Sequence, residues 1–241
     1  MNEDVLYLLK SFDIQSEIID RCFKRDVPQE NLYWKNTQNY IGKNVRFLSI
    51  PLWLELAYST GEIQLETLLS DEYFEVLEKI LHYSEEEELK LISFEECIDK
   101  CFGIKFIKNQ LTLNPKLEDE IKKLIISYPA YQALKRGNFL MVLPLLVSHK
   151  KKEVIDLIYL LIDLIICGCI IDDLHDVKVD AINNEPNIII ELGNDINSLF
   201  KAKKIYDNSA TNLVCNIPGV KEYLSKSFLN LSFEYLNNKK V

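Results

Sequence analysis

Apolar residues recur at intervals of three and four along most of this chain, the spacing that gives a helix one buried face. VLYLLKSFDIQSEIIDRCFKR opens the series as one helix or two short ones, and the loop RDVPQENLYWKN follows. Helices are predicted over Val45–Tyr58, ended by STGE, and over Asp71–Tyr83 behind Ser70 as N-cap. SEEEELKLISFEECIDKCF reads as helical and closed by Gly103. IKFIKNQLTLNPKL alternates in a strand-like way up to Pro115 and reads as a small hairpin or an extended loop. Helices resume at about 116–126, 129–147 and 152–181, then after the loop NNEPN at about 187–204, and the last covers Val220–Leu236.

The most apolar stretch is VIDLIYLLIDLIICGCII, Val154–Ile171, whose eighteen residues have the length of a membrane span. Asp156 and Asp163 fall inside it. Each costs about 2.5–3.5 kcal/mol near a bilayer centre, and the sequence contains no second span to shelter them. The stretch is therefore read as a helix buried all round by other helices, with no transmembrane segment.

Seven Gly and seven Pro in 241 residues, with 48% apolar and 27% charged residues, describe a globular chain that is all-α. No repeat, low-complexity linker or composition break divides it, so a single α-helical bundle over residues 1–241 is expected. The formal charge is −9, and no Lys/Arg cluster is interleaved with aromatics. That balance argues against nucleic acid or an anionic membrane face as a partner. Cys22, Cys97, Cys101, Cys167, Cys169 and Cys215 lack paired CxxC spacing, and no charged and apolar leader precedes them, so a reduced cytoplasmic chain is the expectation. Cys97 and Cys101, one turn apart, read as small buried residues on an amphipathic helix rather than as metal ligands.

The apolar run ends in IIDDLHDVKVD, which carries Asp172, Asp173, Asp176 and Asp180. Asp172, Asp176 and Asp180 stand at i, i+4 and i+8, so a helix carries them up one face with about 40° of drift per step. Converging carboxylates repel one another, and at a helix C-terminus they also meet the negative end of the macrodipole. A hard divalent cation offsets both effects, and Mg²⁺ is usually held by one or two carboxylates together with substrate phosphates. The other reading is a solvated helix end in which Lys178 pairs locally.

YQALKRGNFLMVLPLL, the apolar helix and IIDDLHDVKVDAINNEPNIIIEL together resemble the C-terminal half of class I isoprenoid synthases. These are the trans-prenyl diphosphate synthases, squalene/phytoene synthases and class I terpene cyclases. The resemblance covers roughly residues 128–195. It implies an all-α bundle of the isoprenoid synthase type, whose inner helix ends in the second metal motif. Asp172, Asp173, Asp176 and Asp180 would then be the metal residues. Lys135 or Arg136 stands where a basic residue contacts the diphosphate, with Arg136 as the catalytic group. IGKNVRFLSIPLWLELAYSTGE resembles the GKxxR stretch of prenyl diphosphate synthases, which implies diphosphate contacts from Lys43 and Arg46.

The chain also departs from that pattern. No DDxxD precedes Asp172, and the nearest candidates for a first acidic motif are SDEYFE, with Asp71, Glu72 and Glu75, of which Asp71 and Glu75 stand at i, i+4, and the run Glu85–Glu88. Acids at a helix start are equally explained by the macrodipole. Glu85–Glu88 reads as a solvated face, and the interval from Arg46 to Lys135 is short for a prenyl diphosphate synthase. NDINS, residues 194–198, reads as a loop and helix N-cap, and His175 as a flanking residue of the acidic motif.

The resemblance implies Mg²⁺-dependent ionisation of an allylic isoprenyl diphosphate, followed by cyclisation or by coupling to a second prenyl unit. The alternative is a catalytically weak member of the same fold that binds a prenyl lipid or serves a partner subunit. A homodimer or a heteromeric assembly is implied in the same way.

Overall fold

A computed structural model describes residues 3–30 and 49–238. Lys43 and Arg46 lie outside the described residues. The described chain is all-α, without a strand. It divides into two compact units, Met1–Leu124 with Phe139–Leu161, and Ile125–Asn138 with Ile162–Val241.

The first unit begins with α1 (Glu3–Ser11), α2 (Ser16–Lys24), α3 (Ser49–Ser59), α4 (Leu65–Leu68) and α5 (Asp71–Glu88). It continues through α6 (Phe94–Gly103), α7 (Lys105–Leu113) and most of α8 (Lys116–Ser127). Successive helices pack on one another from α1 to α7. Phe12, Leu54, Phe74, Leu77, Ile80 and Ile107 are among its fully buried side chains. Ser70 caps α5 as its sequence predicts, its hydroxyl accepting from Tyr73 N. Trp53 and Tyr73 bury their polar tips against each other, with Trp53 Nε1 donating to the Tyr73 hydroxyl at 3.1 Å.

Three expectations change here. IKFIKNQLTLNPKL is neither hairpin nor loop but α7: Ile104, Ile107 and Leu111 share one buried face at i, i+3 and i+7. Short alternation fits either period, and packing on α6 selects the helix. The stretch SEEEELKLISFEECIDKCF is broken rather than continuous. Lys90 takes a left-handed φ of 58° beyond α5, and Ser93 and Glu96 form a reciprocal capping box that starts α6. The predicted helix at 129–147 is replaced by two 3₁₀ segments, Gln132–Lys135 and Asn138–Leu146. Pro129 and Pro144 remove helix donors, and Gly137 turns the chain with φ 81°.

The second unit holds the 3₁₀ turn Gln132–Lys135 and residues 162–183 of α9 (Lys151–Asn183). It also holds α10 (Ile188–Glu191), α11 (Ile196–Asn216) and α12 (Lys221–Asn238). The single helix predicted for 187–204 is thus α10 and the start of α11. Gly193 at φ 117° and Asn194 at φ 52° separate them, and Asp195 caps α11 through Ser198, as expected for NDINS. α11 packs against α12, with the Tyr206 and Phe228 rings tilted at 39° and their centroids 4.8 Å apart, and the Tyr206 hydroxyl donating to Leu224 O at 2.8 Å.

Among the described residues, α9 alone is long and apolar enough to cross a membrane. Its most apolar eighteen residues have mean hydropathy 2.6, and half of them are buried.

Candidate functional site at the end of α9

The four aspartates of α9 divide between two environments. Asp173 and Asp180 are buried, Asp172 is exposed and Asp176 is partly exposed. Helix geometry accounts for the split. Residues seven apart return to within about 20° of each other, so Asp173 and Asp180 share the buried stripe with Ile166, Ile170 and Val177. Two steps of about 40° carry Asp180 some way round from Asp172, across the edge between solvent and core. The spacing that put three carboxylates on one face thus leaves Asp172 and Asp176 facing outward and turns Asp180 inward.

Both buried acids are held by protein donors. Asp173 Oδ1 meets Arg136 Nη2, and its Oδ2 accepts from the main-chain N–H of Ile188 at 2.6 Å. Burial pushes the Asp173 carboxyl up to about 7, while Arg136 and the Ile188 N–H pull it down, so its ionised form depends on these two donors. Asp180 Oδ2 accepts from Asn187 Nδ2 at 2.8 Å, and the same nitrogen donates to Asp173 O at 2.7 Å. Asn187 is also the N-cap of α10, its Oδ1 accepting from Ile189 N at 2.9 Å.

Arg136 arrives from the 3₁₀ turn Gln132–Lys135. Its Nε donates to Ala133 O at 3.2 Å, and its Nη1 pairs with Asp172 Oδ2 at 3.4 Å. One guanidinium therefore bridges the exposed and the buried aspartate, as its planar fork of donors allows. Lys135, its neighbour, turns away and donates to Ile126 O at 2.8 Å in the last turn of α8. Of the two basic residues picked from YQALKRG, only Arg136 joins the acids.

His175 is exposed beside the motif, as expected. Its Nδ1 lies 2.7 Å from Asp176 Oδ1, and this hydrogen bond raises the imidazole above its usual pKa. N-terminal to Asp172, the outward face of α9 carries Leu164, Gly168 and Ile171, at i−8, i−4 and i−1, all partly or fully exposed. Among the described residues, a Cβ added at Gly168 would meet nothing within 4 Å, so these residues leave the helix uncovered one turn from Asp172.

Asp71 and Glu75 belong to the first unit. Asp71 accepts from Arg21 Nη2 at 2.5 Å and Arg25 Nη1 at 2.6 Å, and the Arg21 hydrogen bond leads in holding its carboxyl below the usual range. Arg25 also grips Glu78 with two nitrogens, at 2.9 and 2.8 Å. Glu75 lines a cavity of about 210 Å³ with Glu30, Glu78, Lys79, His82 and Tyr83. Cys97 and Cys101 are buried, with the Cys97 thiol 3.4 Å from Tyr83 O.

Among the described residues, no three His, Cys, Asp or Glu side chains converge closely enough to hold a metal by themselves. A pair remains. Asp172, paired with Arg136, and Asp176, paired with His175, stand one turn apart on the outward face, and Mg²⁺ is usually held by one or two carboxylates beside substrate phosphates.

Sequence reasoning missed Asn187 and Glu191. An Asn directly before an apolar run is an N-cap signal, and NEPNIII contains it. Glu191 carries no such signal, because its partners, Gln132 N at 3.1 Å and Ala133 N at 3.0 Å, are 59 and 58 residues away. Comparisons with protein-family models, with curated proteins and with solved structures find no match.

Proposed function

We propose that the protein binds an allylic isoprenyl diphosphate at the C-terminal half of α9 and ionises it with the help of Mg²⁺. The observation that carries this reading is the meeting of Arg136 with Asp172 and Asp173 where the outward apolar face of α9 ends. Leu164, Gly168 and Ile171 offer a hydrocarbon surface, and the next residue begins the charged one. That order suits a ligand with an apolar chain and an anionic head.

Asp172 and Asp176 would hold Mg²⁺, which when bound neutralises and polarises the diphosphate as a leaving group. Arg136 binds the same oxygens as a fixed countercharge, stabilising negative charge as the C–O bond breaks. The buried Asp173 holds Arg136 in place, and Asp180 with Asn187 secures the turn between α9 and α10. Cyclisation or coupling to a second prenyl unit would follow ionisation.

A second reading rests on Asp71. The nearest match to a first metal motif, Asp71 with Glu75, has its leading carboxylate engaged by Arg21 and Arg25. This favours a subunit that binds a prenyl diphosphate without cleaving it.

Incubation of the full chain with Mg²⁺ and geranyl, farnesyl or geranylgeranyl diphosphate, with and without isopentenyl diphosphate, separates the two readings. Release of pyrophosphate that is lost in Asp176→Ala supports the enzyme. Binding without release supports the subunit, and neither binding nor release refutes both.

A further inference from the structure

We propose that Glu191 is a positioning residue for Arg136, acting through the backbone of the turn that carries it. The inference rests on the reading of Arg136 as a diphosphate-binding group. A closed ring of contacts within the second unit supports it.

The first N–H groups of a short helical turn have no partner inside the turn. At Gln132–Lys135, the Glu191 carboxylate takes two of them, with Oε1 accepting from Gln132 N at 3.1 Å and Oε2 from Ala133 N at 3.0 Å. Two oxygens on two successive N–H groups fix the turn in both place and tilt. Ala133 is bonded again on its other side, where its carbonyl accepts from Arg136 Nε at 3.2 Å.

From Arg136 the ring passes to Asp173 and then to Ile188 N, bonded to Asp173 Oδ2 at 2.6 Å. Ile188 is the first residue of α10 and Glu191 is the last, so one helical turn closes the circuit. Arg136 is thereby aimed from three directions: Ala133 O at Nε, Asp172 at Nη1 and Asp173 at Nη2. Glu191 touches none of these nitrogens. It sets the aim of the guanidinium by holding the residue on which Nε rests.

Binding of Mg²⁺ with inorganic pyrophosphate to the full chain, measured by calorimetry, tests the proposal together with the ¹⁵N–¹H signal of Arg136 Nε. Glu191→Gln keeps the volume but puts an amide donor against one of the two N–H groups. It is expected to weaken pyrophosphate affinity about tenfold, in the range seen when orienting partners of binding groups are lost, and to move the Nε signal. In an Arg136→Lys background, where no guanidinium remains to be aimed, the effect of Glu191→Gln should shrink to about twofold or less.

Wild-type affinity with an unmoved signal overturns the proposal, as does a full tenfold effect that persists on Arg136→Lys. If Glu191→Gln does not fold, Glu191→Asp, too short to span both N–H groups, should change affinity and signal in the same directions. Absence of pyrophosphate binding by the wild-type chain overturns the diphosphate reading instead, and the Nε signal then decides the positioning role alone.

Discussion

Asn187 and Asp180 are joined by a hydrogen bond of 2.8 Å from the amide Nδ2 to the carboxylate Oδ2, at a site where both residues are buried. The same amide reaches Asp173 O at 2.7 Å and caps α10 with its oxygen, so one side chain serves two helices. Asn187→Ala is expected to lose about 2–4 kcal/mol, combining a lost N-cap with a buried carboxylate deprived of its donor. Asn187→Asp caps as well as asparagine does but sets a second carboxylate against Asp180, so it should be at least as destabilising. Urea unfolding of the two variants measures this, and an Asp variant close to wild type would refute the account.

Asp176 and Asp180 should respond differently to truncation, although the sequence pattern treats them alike. Asp176→Ala is expected to abolish Mg²⁺-dependent binding of a diphosphate analogue while shifting the melting temperature by only about 2 °C or less. Asp180→Ala removes a buried acceptor and should cost about 1–3 kcal/mol of stability. Calorimetric titration beside thermal melts compares them, and unchanged binding by Asp176→Ala would remove the metal role.

The pairing of Asp71 with Arg21 and Arg25 depends on pH. Because the folded state lowers its pKa, Asp71 contributes stability that is present above about 3.8, the ordinary value, and is lost as pH falls through the folded value. Asp71→Asn should therefore melt below wild type at neutral pH and converge with it in acid. High salt should narrow the gap as well, since Asp71 is exposed. A gap that is constant across pH in thermal melts would contradict the pairing.

Asp163 runs in the opposite direction. Burial within the apolar run raises its carboxyl, while hydrogen bonds to Ser209 and Asn212 lower it only in part. Its contribution is present below about 3.8 and lost as pH rises through the folded value. Asp163→Asn keeps an acceptor for Asn212 Nδ2, now 2.9 Å from Asp163 Oδ2, and carries no charge. Its melting temperature should rise relative to wild type between acid and neutral pH, and parallel pH profiles for the two proteins would show the burial cost to be absent.

The helical character of the chain was legible residue by residue. α9 follows from its long apolar run, α5 from Ser70 before a periodic stretch, and the start of α11 from Asp195 and Ser198 in NDINS. These are local signals, in which the groups that satisfy the backbone lie within four residues of it. Where two periods both fit a short stretch, as in α7, only the neighbouring helix selects between them.

The acidic motif shows the same boundary inside a single helix. Spacing alone places Asp172, Asp176 and Asp180 along a drifting line, but spacing does not say where the edge of the core falls across that line. Packing draws the edge between Asp176 and Asp180, and it makes Asp173, which stands outside the i, i+4, i+8 series, the anchor for Arg136. The bonds of Asn187 to Asp173 and Asp180, and those of Glu191 to Gln132 and Ala133, arise only when α10 is brought against α9 and the turn at Gln132–Lys135. Local chemistry wrote the helices and their caps into the sequence. The contacts of Arg136 with Asp172 and of Glu191 with the Gln132 N–H, across 36 and 59 residues, required the folded chain, because no pattern along a helix records what will be packed beside it.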